Sequence, residues 1–365
     1  MNEPWGVVRE LSVSQTDPDR VDVLSVLESM GGGATPTELA EGCDVSRKAI
    51  YRRIREFREI GFAIDGSDGE VRMTRSAVKA IGAYRCVAAQ TDPAAIAYLT
   101  NSESRRDLLR TLVATSADKA ELAADEQLPS RSTVHRTLDR LDDLEWVDRT
   151  TDGRFTATSR AVVDLERIDW LVEAIRQAIA KAPALRRMSY WVDPPLHALA
   201  GGDLVVETPT DPNALLSAAV DAADLRTEGL SHVRSITPVF DPVMLDLFGN
   251  YIDRDTTQQI VFDRRTYRQL TRPGRIHYLA GAVLAPNVEV RIHPEPLYTG
   301  LAIYNRETVM VGGSTRHTTD AAVVGAGAAL RRWADTTFEN IWADSQRPAG
   351  RIRGWLDRAV SSPLG

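Results

Sequence analysis

The strongest constraint on this chain is an internal repeat. Residues 45–64 read VSRKAIYRRIREFREIGFAI, and residues 129–148 read PSRSTVHRTLDRLDDLEWVD. Ser46 matches Ser130, Arg47 matches Arg131 and Arg52 matches Arg136, while Ile50, Ile54 and Phe57 match Val134, Leu138 and Leu141. Upstream, Glu38-Leu39-Ala40 matches Glu121-Leu122-Ala123. Downstream, Asp68-Gly69 matches Asp152-Gly153, and Ala77-Val78 matches Ala161-Val162. The offset is 83 before the central turn and 84 after it, so the second turn holds one extra residue. An insertion confined to a turn leaves the elements intact. Similarity running through helix, turn, helix and hairpin means two copies of one small domain.

Each copy has the pattern of a winged helix-turn-helix. In the first, Val21, Leu24 and Leu27 make an apolar stripe at helical spacing. Thr35 or Thr37 is placed to cap the next helix, with Pro36 near its first turn. Residues 42–45 make the tight turn, and Ser46 caps a third helix whose inner face is Ile50, Ile54 and Phe57. That spacing turns Arg47, Lys48, Tyr51, Arg52 and Arg55 outward. A helix with one dry face and one strongly positive face suits the major groove. There Arg bonds guanine edges in a bidentate manner, and Arg or Lys holds phosphates. The chain then alternates through Phe62-Ala63-Ile64, turns at residues 65–69 and returns through Val71-Arg72-Met73 as a hairpin wing.

In the second copy, Leu108, Leu109 and Leu112 give the first helix, Thr115 or Ser116 is placed to cap the second, and Ser130 caps the third. That third helix exposes Arg131, Thr133, His135, Arg136 and Arg140, but Asp139, Asp142 and Asp143 nearly cancel its charge. Its wing reads as the more complete of the two. It runs from Trp146 to Arg149, turns at Thr151-Asp152-Gly153 and returns from Arg154 to Ala157. Arg149 and Arg154 are placed to straddle a minor groove or touch phosphates. The expected DNA-contacting set is therefore Ser46, Arg47, Lys48, Tyr51, Arg52 and Arg55 in the first copy. In the second it is Ser130, Arg131, Thr133, His135, Arg136, Arg149 and Arg154. One alternative stays open: arginine-rich faces are often only solvated, and a winged helix also serves as a protein-interaction module.

A chain of 365 residues has room for two or three domains. No stretch approaches the ~20 apolar residues needed to span a bilayer. The start, MNEPWGVVRE, lacks a basic region followed by an apolar run, so a cytoplasmic protein with no membrane partner is expected. The formal net charge is −7, yet the local field at a recognition helix matters more than the sum. Of 44 basic residues only Lys48, Lys79, Lys119 and Lys181 are lysines. This acidic, lysine-poor composition resembles that of proteins from salt-loving archaea, although a GC-rich genome also favours Arg and Ala. In molar salt, counterion release contributes little to binding. Base contacts, apolar contacts and dimer symmetry then carry more of the affinity. Cys43 and Cys86 form neither a Cys-x-x-Cys nor a zinc spacing and read as reduced small hydrophobes, so no metal and no cofactor is expected.

The domain boundaries follow. Residues 15–82 form the first winged helix, 83–100 a linker helix broken at Asp92-Pro93, 101–160 the second winged helix, 161–184 a connecting helix, 185–345 a third domain and 346–365 a tail. In the connecting helix Val163, Ile168, Leu171, Ile175 and Ile179 fall close to one face. Such a helix packs either against its symmetry mate or within its own subunit. From about residue 185 strands and helices alternate. Strands are expected at 203–207, 232–240, 259–262, 288–292, 301–304 and 308–311, the last two forming a hairpin with its turn at Arg306-Glu307. Helices are expected at 213–224, through Met244, Leu245, Leu247 and Phe248, from Arg265 to Leu270, and from about Asp320 to Ala343. This alternation argues an α/β domain with a central sheet. The chain is thus α+β overall: two tandem winged helix-turn-helix domains followed by an α/β sensor domain.

The stretches HVRSITPVFDPVMLDLF, TQQIVFDRRTYRQL, VEVRIHPEP, LAIYNRETVMVGG and ALRRWADTTFENIW resemble the middle, or sensor, domain of the archaeal methanogenesis-regulatory transcription factor family. The resemblance covers roughly residues 185–345, and the layout, with winged-helix readers ahead of an α/β domain, is similar too. It implies effector-linked transcription control and a fold similar to phospholipase-D-like and TrmB-type sugar-sensor domains, without fixing the effector. It also raises an enzymatic alternative. Phospholipase-D-like nucleases use His-x-Lys, in which histidine attacks phosphorus and lysine holds its oxygens. None of His135, His197, His232, His277, His293 and His317 is followed two residues later by lysine. The nearest look-alike, His232-Val233-Arg234, lies in what reads as a buried strand. The sequence has no Gly-rich phosphate loop, His-Glu-x-x-His or Gly-x-Ser-x-Gly.

The expectation is therefore a non-enzyme: a sequence-specific transcription regulator that binds double-stranded DNA as a homodimer and responds to a small-molecule effector. The other class is a non-catalytic interaction protein whose winged helices bind protein partners, or DNA without sequence choice. An effector pocket is expected at strand ends around Asp263-Arg264-Arg265, His293 and Tyr298, where arginine and aromatic groups can hold an anionic or sugar-like ligand.

Overall fold

The computed structural model describes residues 4–13, 21–189, 192–224, 229–243, 256–272, 274–275, 279, 285–314 and 319–348. The chain divides into two compact units that part between Ile179 and Ala180, and both winged helices belong to the first. That unit opens with helix α1 (Pro4–Leu11). The first copy follows as α2 (Val23–Ser29), β1 (Gly33–Ala34), α3 (Pro36–Gly42), α4 (Arg47–Glu59), β2 (Ala63–Asp65), β3 (Val71–Met73) and α5 (Arg75–Ala88). After α6 (Pro93–Thr100), the second copy runs α7 (Glu103–Ala114), α8 (Lys119–Ala124), α9 (Arg131–Asp143), β4 (Val147–Arg149), β5 (Phe155–Ala157) and α10 (Ser159–Ala180).

The repeat persists down to single hydrogen bonds. Thr35, not Thr37, caps α3 in a reciprocal box with Glu38, and 83 residues later Asp118 does the same for α8 with Glu121. Asp118 is the cap in place of the expected Thr115 or Ser116, because its carboxylate accepts from both Ala120 N (2.7 Å) and Glu121 N (2.8 Å). Ala34 pairs with Val71, and Ala117 bridges to Phe155. Thr74 N donates to Phe62 O and Thr158 N to Trp146 O, both at 3.0 Å. The two threonine hydroxyls reach Gly61 O (2.7 Å) and Glu145 O (2.9 Å). The wings leave residues 66–70 and 150–154 between their strands, so they are equal in length and the second is not the more complete.

Helical spacing buries the expected rows: Ile50, Ile54 and Phe57 in the first copy, and Val134, Leu138 and Leu141 in the second. Each such side chain contributes about 1.5–3 kcal/mol by leaving water. Where the first copy buries Phe62, the second buries Trp146, whose indole N–H donates to the Asp164 carboxylate at 3.0 Å. Asp164, 3% exposed, also accepts from Thr91 at 2.8 Å. The chain breaks between α5 and α6 as Asp92-Pro93 predicts, with the Asp92 side chain accepting from Ala94 N. No motif announces α1, yet it joins the copies. Glu10 pairs with Arg53 of α4 at 3.1 Å, Arg9 donates to Thr100 O at 3.3 Å, and the Arg106 guanidinium lies 3.9 Å over the Trp5 ring.

In α10, Ile168, Leu171 and Ile175 are buried as the spacing requires. Val163 is not: it is 43% exposed, because five residues carry it about 140° around the helix from Ile168. Trp170, one heptad along from Val163, is 47% exposed.

The second unit holds α11 (Ala182–Leu185), α12 (Leu196–Leu199), β6 (Asp203–Val206), α13 (Ala214–Ala222), β7 (His232–Thr237), β8 (Thr257–Asp263), α14 (Arg264–Leu270), β9 (Val288–His293), β10 (Thr299–Tyr304), β11 (Thr308–Gly313), β12 (Ala321–Gly325) and α15 (Ala328–Ala343). Its sheet runs β6-β12-β11-β10-β7-β8-β9. β7, β8 and β9 are parallel and the other pairs antiparallel. Side chains alternate along a strand. Val233 and Tyr304 accordingly pack with Ala219 of α13, while Arg234 reaches Asp335 of α15, so these two helices cover opposite faces.

One expectation fails here. Residues 321–325 read as the start of the last helix, but they form β12 between β6 and β11. Ala321, Ala322 and Val323 are buried in succession, the pattern of a strand covered on both faces, and Gly325 and Gly327 delay the helix to Ala328. His232 is likewise not inside a buried strand: it opens β7 and is half-buried. The helix expected through Met244 to Phe248 lies outside the described residues.

Candidate nucleic-acid interface

Ser46 starts α4 by accepting from Ala49 N at 3.3 Å, which fixes the helix that carries the basic face. With Ile50, Ile54 and Phe57 inward, Arg47, Lys48, Tyr51, Arg52 and Arg55 are exposed, Tyr51 by 59%. Among the described residues Arg47, Lys48 and Arg52 make no ion pair, and Arg55 has a loose one with Glu59 at 3.9 Å. Their cost of leaving water is therefore not offset within the protein, and their donors are free for a ligand. Arg53, on the same helix, is instead turned to Glu10 and Glu56. The wing of this copy is acidic. Asp65 takes the Arg58 guanidinium, and Glu70 takes Arg72 at 3.3 Å.

The second copy is built differently. Ser130 occupies the N-cap position of α9, but its hydroxyl meets those of Ser132 and Thr133 at 3.3 and 3.1 Å, and the expected bond to the helix backbone is not formed. The first copy has Lys48 and Ala49 at those two positions, with no competing hydroxyl. Arg131 and Arg136 are exposed, while Thr133 and His135 are half-buried, and the His135 Nε2 is buried without a hydrogen-bond partner. Arg149 is exposed on the wing. Arg154 faces inward, donating to Ser116 O at 2.6 Å and pairing with Glu121 at 2.7 Å.

Buried acids lie behind the first recognition helix. Burial pushes the Glu10 carboxyl above the usual 4.5, against the pull of Arg53, and pushes Asp22 above the usual 3.8. The exposed capping carboxylates move the opposite way. Backbone N–H groups lower Glu38 and Asp118, and Arg154 lowers Glu121.

In the second unit the groups expected to line an effector pocket are largely occupied. Asp263, fully buried, caps α14 through Thr266 N (2.6 Å) and holds Leu297 N (3.1 Å). His293 closes on the Glu295 backbone at 3.0 Å, Arg265 lies over the Tyr298 ring at 5.2 Å, and Arg264 is exposed. Asp263 and His293 fasten a loop to the strand ends and are engaged within the protein, while Arg264 is exposed and Arg265 Nε is buried with no hydrogen-bond partner among the described residues. Among the described residues no group of three or more His, Cys, Asp or Glu can hold a metal ion, and no helix is long and apolar enough to cross a membrane.

Three family models match the chain: a helix-turn-helix domain over residues 16–64, the HVO_A0261 N-terminal domain over 93–179, and the middle domain of the methanogenesis regulatory protein FilR1 over 218–344. The first two fall on the two winged helices and the third on the sheet-bearing unit. No curated protein matches. Solved structures with similarity include TrmBL2, an archaeal chromatin protein, at 12% identity over 93% of this chain and 99% of that one, with a TM-score of 0.31. NucT from Helicobacter pylori matches at 12% identity over 40% and 98%, TM-score 0.33. An IclR homolog from Microbacterium hydrocarbonoxydans, solved with 4-hydroxybenzoate, matches at 14% over 66% and 97%, TM-score 0.14. At these scores none of the three carries an argument about function.

Proposed function

We propose that this chain, an archaeal helix-turn-helix DNA-binding regulator of the type that carries a FilR1 middle domain, recognises specific operator sequences through both of its winged helices and does so as a homodimer. The observation that carries the reading is the unpaired row Arg47, Lys48 and Arg52 on the outer face of α4, whose opposite face is dry. Arg131 and Arg136 repeat two of the three positions on α9. Val163 and Trp170, exposed one heptad apart on α10, support self-association along that helix. The sheet-bearing unit senses an effector and performs no catalysis: it lacks the His-x-Lys pair that a phosphodiesterase of related fold would use.

The test is DNA selected from a random-sequence library by the full-length protein, followed by footprinting in low and molar salt. Sequence-dependent protection that survives high salt supports operator recognition, because base contacts depend less on counterion release than phosphate contacts do. Uniform protection that disappears with salt favours the interaction-protein reading. Light scattering in the same salt, giving twice the 40.2 kDa chain mass, checks the dimer.

A further inference from the structure

We infer that the two winged helices meet DNA with different elements. The first uses the length of α4 and holds its wing away from the backbone. The second uses the first two turns of α9 together with Arg149 of its wing, which contacts a phosphate. This deepens the proposal above and rests on its claim that both copies bind DNA.

Four equivalent positions reverse charge between the copies. On the recognition helices, Arg55 and Arg58 stand where the second copy has Asp139 and Asp142. On the wings, Asp65 and Glu70 stand where it has Arg149 and Arg154. In the first copy the reversals favour the helix: exposed cations run from Arg47 to Arg55 along α4, while on the wing Asp65 holds Arg58, Glu70 holds Arg72 and Asp68 adds a further negative charge that repels a phosphate chain.

In the second copy the reversals favour the wing. The later turns of α9 carry Asp139, Asp142 and Asp143, and Arg140 is paired with Asp143 at 3.4 Å, so that half of the helix stays off the backbone. Arg131 and Arg136, in its first two turns, are the cations of this helix that make no ion pair among the described residues. On the wing, Arg154 is a positioning residue: its bonds to Ser116 and Glu121 tie the return strand to the approach to α8. That strut leaves Arg149, exposed, without an ion pair among the described residues and 6.0 Å from the Phe155 ring centre, as the outward cation of the wing at the last residue of β4, directly before the turn.

The experiment measures affinity against potassium chloride for the full-length protein on its selected DNA, with Arg149→Ala, Arg149→Glu and Asp65→Ala. Arg149 is exposed, and circular dichroism checks that each variant is folded. Loss of one phosphate contact lowers the slope of log affinity against log salt by about one and weakens all sequences equally. Arg149→Ala removes one such contact from each protomer of the homodimer and is expected to lower the slope by about two with base preferences intact, and Arg149→Glu to weaken binding by about ten-fold or more. Asp65→Ala removes a repelling carboxylate and frees Arg58 at the end of α4, so it is expected to tighten binding. Wild-type slope and affinity in both Arg149 variants, with binding lost in the Arg47→Ala, Arg52→Ala double variant, overturn the wing assignment and leave the DNA reading standing. Wild-type binding in all of them removes both. Unchanged or weaker binding by Asp65→Ala overturns the claim that its acids hold the first wing off.

Discussion

The first winged helix has Phe62 and Ala80 where the second has Trp146 and Asp164. One copy fills the site with apolar volume alone. The other uses a larger ring and satisfies its N–H with a carboxylate 3% exposed to water. Around these differing centres the backbone hydrogen bonds are the same, from the capping boxes to the threonine that closes each wing. The surfaces diverge further still, with charge reversed at equivalent places on helix and wing. The comparison teaches that the fold tolerates exchange of core chemistry if volume and hydrogen bonding are matched. Surface charge is free of that constraint and can follow what each copy binds.

The sharpest way to break the comparison is to remove the arginines that the copies share. Arg47→Ala with Arg52→Ala should cost about 2–6 kcal/mol of operator binding per protomer, if each makes a bidentate base contact, and should relax preference at two base pairs of each half-site. Arg131→Ala with Arg136→Ala should cost less and shrink the footprint at one part of the site, since α9 is nearly neutral overall. Equal losses in the two double variants, measured at matched salt, would show that the charge difference has no bearing on how the copies share the work.

Much of this was legible because periodicity and repetition reinforce each other. The inner rows of α4 and α9 follow from spacing alone, and the alignment of the copies confirms both. Asp118 carried its own capping-box signal in Glu121 three residues on, and it also aligns with Thr35, 83 residues earlier. What stayed hidden depends on atoms that spacing does not report. Arg53 and Arg154 look like their neighbours in sequence, yet Glu10 and Ser116 draw them inward from distant segments. In the second unit, Ala-Ala-Val-Val-Gly at 321–325 runs directly into the alanine-rich start of the last helix, which hid the strand signal of Val323 and Val324, ended by Gly325, that fits it between β6 and β11. The strand-end residues Asp263 and His293 were legible as neighbours, but not as groups already engaged.

The polar centre of the second copy is the next place to press. Asp164→Ala strands the Trp146 N–H and the Thr91 hydroxyl inside the protein, and an unsatisfied buried donor costs about 1–3 kcal/mol. A loss of about 3 kcal/mol is expected, read as faster amide hydrogen exchange in α7, α9 and β4 of the full-length chain. Ala80→Asp should be at least as damaging to the first copy, because Phe62 offers no donor. Unchanged exchange in Asp164→Ala would show the buried carboxylate to be dispensable.

Acidity should separate the copies by sign. Glu10 and Asp22 have raised values in the fold, so their favourable contribution is complete below the usual 4.5 and 3.8 and is lost as pH rises through the raised values. Asp118 and Glu121 have lowered values. Their contribution is present above the usual range and is lost as pH falls through the folded values. Raising pH from about 4 towards neutrality should therefore loosen the first copy, with the lowered Glu38 opposing only the start of the change, whereas the second copy gains its stability as pH rises to about the usual 3.8 and 4.5 and then holds level, a smaller effect than the loss of Asp164. Asp22→Asn, which keeps a capping oxygen, should flatten the first dependence, and Asp118→Asn the second. Parallel exchange profiles for the two copies across this range would contradict the assignment.

The smallest expected effect lies where the recognition helices end. Gly61 has φ +75° and the equivalent Glu145 has φ +57°, so both copies turn through the left-handed region before the wing. Glycine meets no penalty there, whereas a side chain costs roughly 1 kcal/mol. The second copy therefore carries strain that the first avoids, offset in part by the Arg160–Glu145 pair at 2.6 Å. That pair is exposed and contributes about 0–1 kcal/mol. Gly61→Ala should destabilise the first copy by about 1 kcal/mol, while Glu145→Gly should leave the second unchanged or more stable by a few tenths. Hydrogen exchange at the wing amides distinguishes the two. If Glu145→Gly loosens the second wing by as much as Gly61→Ala loosens the first, the surface pair outweighs the backbone strain, and the two turns are held by different means.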